Sequence, residues 1–161
     1  MNKKLSITIN LFKEIGENFY KDKYNLIKYS NDNIILNSIT FYHNLANKNY
    51  FLVYLLFKDN ETDFDLLGDF IIRTESQVQG EYTNNNDELP ESIGVFDGVF
   101  DQIIYQIKKN LPVGKYDLAI CAKEIESNSN SIISKIRKDL INTKDLTSFE
   151  LCASVPFNVI S

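Results

Sequence analysis

Tyr50-Phe51-Leu52-Val53-Tyr54-Leu55-Leu56-Phe57 is the longest strictly apolar run in the chain. It is far shorter than the roughly 18 residues a membrane-spanning helix needs. Its aromatic and β-branched side chains favour a pleated strand. Polar stretches at Asn44–Asn49 and Asp59–Asp63 bound it as turns. Successive side chains of a strand point to opposite faces, and here both faces are apolar. The run is therefore expected to lie centrally, with a paired neighbour on each edge and cover above and below.

The flanking sequence extends this strand into a meander. Ile34 to Tyr42 precedes it, and Phe64 to Arg73 follows with Gly68 as a candidate bulge. At the N-terminus Leu5, Ile7, Ile9 and Leu11 alternate with Ser6, Thr8 and Asn10, the period of a half-buried strand. Residues 13–24 read as a loop, and Leu26 to Tyr29 as a short strand ended by Asn31-Asp32-Asn33. Residues 74–91 have no apolar periodicity and are expected to form a flexible loop insertion. Ser92 to Phe100 is ambiguous, while Gln102 to Lys108, Lys115 to Lys123 and Ser148 to about Ile160 read as strands.

The period changes once. Between Ser129 and Asn142, Ile132, Ile136 and Leu140 recur every fourth residue, flanked by Ile133 and Ile141, with Lys135, Arg137, Lys138 and Asp139 opposite. That predicts an amphipathic helix near 129–142, N-capped by Ser129 or Ser131. The expected fold is mainly β: an antiparallel two-sheet sandwich of eight or nine strands in a single domain, 1–161. The helix is expected across one open end or edge.

Charge narrows the partners. The net charge is −5, and Arg73 and Arg137 are the only arginines. Phosphate backbones recruit clustered Lys and Arg, so nucleic acid is not an expected partner. Lys, Asn and Ile are over-used, so Asn84-Asn85-Asn86 carries no functional signal, and the sequon Asn60-Glu61-Thr62 is expected by chance. Lys3-Lys4 precedes Leu5, but Ser6, Thr8 and Asn10 interrupt any leader-like apolar core. A cytoplasmic location is the default, or a secreted or periplasmic one if a leader has been removed.

Catalytic chemistry has few carriers. His43 is the only imidazole available to a nucleophile–base pair with Cys121 or Cys152. The chain lacks the G-x-S-x-G, C-x-x-C, H-E-x-x-H and phosphate-loop motifs. Carboxylates sufficient for glycoside hydrolysis are abundant and therefore uninformative. The sharpest local feature is Asp59, Glu61, Asp63 and Asp65, alternating through a turn and followed by Asp69. Such a turn is a candidate calcium site, though it lacks the glycine and terminal glutamate of an EF-hand loop; the alternative is a solvated hairpin turn. No other cofactor is implied. If the strands holding Cys121 and Cys152 are neighbours, simple alternation puts both thiols on one face, where a disulfide could form; free thiols are the alternative. Phe41, Tyr42, Tyr50, Tyr54, Tyr82 and Tyr105 would suit sugar stacking or a protein hot spot if exposed.

Ile103-Ile104-Tyr105-Gln106-Ile107 followed by Leu111-Pro112-Val113-Gly114-Lys115-Tyr116-Asp117-Leu118 resembles the strand, L-P-x-G-x-Y-x-L, strand passage of immunoglobulin-like sandwiches. Val155-Pro156-Phe157-Asn158-Val159 resembles their last strand. Sugar-binding modules of polysaccharide exporters and secreted lipid-recognition domains share this passage. The latter family implies a leader and several disulfides, which this sequence does not display, and the helix before the last strand departs from both. The resemblance implies an immunoglobulin-like binding fold and brings no site residue with it. The expected function is a non-catalytic module that recognises a protein or glycan through loops or a sheet face. The alternatives are a carrier of an apolar ligand such as lipid between the sheets, a hydrolase, and a small subunit or neutralising partner in a bacterial secretion or toxin system. Residues 74–91, the Asp59–Asp65 turn and the helix are the expected contact regions.

Overall fold

The computed structural model describes residues 5–15, 18–21, 24–29, 33–42, 49–73, 79–84, 91–96, 100–107, 111–126 and 130–161. The elements, in chain order, are β1 (Leu5–Ile15), β2 (Asn18–Lys21), β3 (Leu26–Lys28), β4 (Asn33–Tyr42), β5 (Asn49–Lys58) and β6 (Phe64–Arg73). They are followed by β7 (Gln79–Asn84), β8 (Glu91–Phe96), β9 (Phe100–Ile107), β10 (Gly114–Ile125), α1 (Asn130–Thr143) and β11 (Glu150–Ile160). Among the described residues they form a five-stranded sheet, β2-β1-β4-β9-β8, and a six-stranded sheet, β3-β11-β10-β5-β6-β7. Every pairing is antiparallel except β3 with β11. No helix among the described residues is long and apolar enough to cross a membrane.

The strands outnumber the eight or nine expected, because two segments read as loops pair through their backbones. β1 runs on to Ile15 and folds back on β2 inside the expected 13–24 loop. Gln79–Asn84 lies within the expected 74–91 insertion, yet it pairs with β6 from Gly68 to Arg73, and Glu91 already belongs to β8. Residues 74–78 and 85–90 lie outside the described residues.

The apolar run behaves as its two faces require. Leu52, Tyr54 and Leu56 of β5 join a core shared by both sheets, with Ile7 and Leu11 of β1, Ile34 and Leu36 of β4, Leu118 and Ile120 of β10, and Phe157 and Val159 of β11. Phe51, Val53 and Leu55 point the other way, into a second core with Ala119, Cys121, Phe64, Ile71 and the helix residues Ile133 and Leu140. The helix thus covers the outer face of the six-stranded sheet, not an open end or edge. Burial explains the difference: an apolar outer face on the central strands must be removed from water, at roughly 1.5–3 kcal/mol per large side chain.

α1 cannot stand alone. It has 14 residues, no acidic side chain in its first turn and no basic one in its last, so its dipole is uncompensated. Packing sets its rotation. Ile133, Ile136 and Leu140 contact the outer core, while Ile132 and Ile141 stay 40% and 47% exposed. The buried stripe is therefore turned from the expected one at Ile132, Ile136 and Leu140. The chain leaves the helix through Lys144, whose φ of 55° is left-handed and whose N–H donates to the Leu140 carbonyl at 2.9 Å. The residue preceding Asn130, the expected cap Ser129, lies outside the described residues.

Tyr116 opens β10 under two constraints. Its hydroxyl donates to the Pro112 carbonyl at 2.7 Å, and its ring stacks on Phe157 at 5.4 Å between centroids. The hydrogen bond ties the Leu111–Gly114 turn to the strand it starts. Tyr116→Phe keeps the ring and loses this bond, so we expect a loss of about 0.5–1.5 kcal/mol in urea unfolding with an unchanged m-value.

Candidate functional site

Strand register gathers three connections at one end of the six-stranded sheet. Ile125 stands opposite Asn49, Asn49 opposite Arg73, and Arg73 opposite Gln79. The links β4–β5, β6–β7 and β10–β11 all depart from this row. The β5–β6 turn lies at the other end, where the Asp59 N–H donates to the Lys115 carbonyl at 2.9 Å. β5 has ten residues, so at roughly 3.3 Å per residue the two ends are about 30 Å apart. The expected contact regions therefore separate: the start of α1 and the β6–β7 link share one end, and the acidic turn occupies the other.

The acidic turn is built as a hairpin. Asn60 takes the left-handed conformation, φ 59°, and the Glu61 N–H closes the turn on the Lys58 carbonyl at 3.0 Å. Asp59, Glu61, Asp63 and Asp65 are exposed. Asp63 accepts the Phe64 N–H at 2.9 Å and lies 3.5 Å from the Lys144 ammonium. That ammonium also donates to the Phe64 carbonyl at 2.5 Å and sits 4.6 Å from the Phe64 ring centroid. The turn thus anchors the exit of α1. Among the described residues, no three His, Cys, Asp or Glu side chains converge as a metal ligand set.

A bulge creates the most buried charge among the described residues. Tyr54 pairs with Gly68 and Leu55 with Leu66, so Leu67 is an extra residue on β6. Beyond it, the side-chain parity reverses. Asp69 consequently faces α1 instead of the inter-sheet core, where Leu67 and Phe70 point. Asp69 is completely buried and accepts two hydrogen bonds from Arg137, at 2.6 Å from Nε and 2.9 Å from Nη2. Arg137, expected on the solvent side of the helix, is half-buried in this pair. The bidentate fork fits a carboxylate in a way a lysine could not.

A second bulge separates the cysteines. β10 and β11 are neighbours as the disulfide geometry required, but Ile120 pairs with Ala153 and Cys121 with Leu151, leaving Cys152 extra. Cys121 enters the core beneath α1, whereas Cys152 packs against the inter-sheet core. Both are free thiols, on opposite faces instead of one. The same bulge leaves Leu151 61% exposed and puts Phe149 in the helix-side core. His43 lies outside the described residues.

Burial pushes the Cys121 thiol up to about 11, from an unfolded value near 9.0. The folded state then holds its proton where the unfolded state has lost it. Its contribution is complete below about pH 9 and disappears as pH rises through about 11, on the order of 2 kcal/mol. Cys121→Ala should flatten that part of the stability–pH curve relative to the natural chain. Thiolate reagents should modify Cys121 only after denaturation.

At the three-connection end, the inner rim carries Tyr50, Glu124 and Glu150. Glu124 stands opposite Tyr50, and Glu150 opposite Ala122, two residues along β10 on the same face. Tyr50, suited to stacking or a hot spot only if exposed, is 7% exposed, and Tyr54 is fully buried. Burial holds the Tyr50 phenol above its ordinary range, and the nearby Glu124 and Glu150 charges raise it further. The side chains of Phe41, Tyr42, Tyr82 and Tyr105 lie outside those described. Tyr24 and Tyr29, which the sequence did not single out, are 70% and 45% exposed beside β3. No protein-family model matches this chain, and no curated protein matches it.

Proposed function

We propose that the chain is a non-catalytic binding module of immunoglobulin-like architecture, recognising a protein or glycan through the end from which three connections leave. The row Ile125, Asn49, Arg73 and Gln79 carries this reading, because it sets the β4–β5, β6–β7 and β10–β11 links side by side on a packed scaffold. In variable-type immunoglobulin sandwiches the corresponding three loops share one end and bind. The strand order supports the comparison. β1-β4-β9-β8 parallels the A-B-E-D sheet, and β11-β10-β5-β6-β7 parallels G-F-C-C′-C″. The Tyr116 hydroxyl on the Pro112 carbonyl parallels the tyrosine corner of such domains. An apolar-ligand carrier would need room where Leu52, Tyr54, Leu118 and Phe157 already pack.

The test uses the whole chain as bait in a native host extract. Replacing residues 44–47 together with 75–77 by Gly-Ser is expected to reduce partner capture at least tenfold. Asp59→Asn with Glu61→Gln, at the far end, should leave capture unchanged. Capture that survives the first change and fails with the second would reverse the assignment.

A further inference from the structure

We draw no further inference here: the strongest candidate, the side of the sandwich where β1 approaches β11 and Ile9, Ala153 and Val155 stay partly exposed against the inter-sheet core, is an apolar seam for which nothing among the described residues shows what covers it.

Discussion

Arg137→Ala is expected to destabilise the chain by about 3–5 kcal/mol, among the largest losses available to a residue whose side chain reaches the surface. The cause lies at Asp69. Its carboxylate is completely buried under α1, and Arg137 gives it two hydrogen bonds in a fork. Removing the guanidinium leaves a buried charge without that fork, so the penalty exceeds the worth of the pair itself. Asp69→Leu combined with Arg137→Met should therefore recover most of the loss and unfold within about 1 kcal/mol of the natural chain. The measurement is a urea double-mutant cycle with the two single substitutions. A cycle in which Arg137→Ala costs less than 1 kcal/mol would mean that the helix is not held at this point. The pair works as a registration device: it couples the middle of α1 to one residue of β6, and the bulge at Leu67 turns that residue toward the helix.

The second large effect concerns the rotation of α1. Ile133→Ala and Leu140→Ala are each expected to cost about 2–5 kcal/mol, since both side chains are at most 3% exposed in the helix-side core. Ile132→Ala and Ile141→Ala should cost under about 1 kcal/mol, their side chains being 40% and 47% exposed. The contrast matters more than either value. A helix turned to bury the Ile132 stripe would reverse it, with Ile132→Ala the damaging change. Thermal or urea unfolding of the four variants decides between the two rotations.

Much of the architecture was legible because burial writes itself into parity. The Tyr50–Phe57 run is apolar at both odd and even positions, and it became the strand with one face in each core. Tyr116, Leu118, Ile120 and Ala122 pointed inward as their alternation required. Parity also explains the failures. The extra residue Cys152 reversed the alternation in β11, which moved the cysteines to opposite faces and exposed Leu151. A bulge there has no signature as clear as Gly68 in β6. β7 escaped because Gln79-Gly80-Glu81-Tyr82-Thr83-Asn84 has no apolar period; its backbone pairing with β6 makes it a strand.

The buried pair was invisible for a different reason. Asp69 and Arg137 are 68 residues apart, and each reads alone as an ordinary surface charge. One signal was available: an aspartate one residue past a strand glycine, and an arginine four residues after Ile133, within reach of its face. The candidate site at the sheet end was equally hidden, since no single segment contains it. Only the register of four strands brings its parts together.

That register is the most direct test of the binding reading. Cross-strand nuclear Overhauser contacts of the whole chain report it residue by residue. The account predicts backbone contacts from Ile125 to Asn49 and from Asn49 to Arg73, together with the parallel contact of Val159 with Ile27. A spectrum placing Ile125 beside Lys58 instead would send the three connections to different ends and contradict the account.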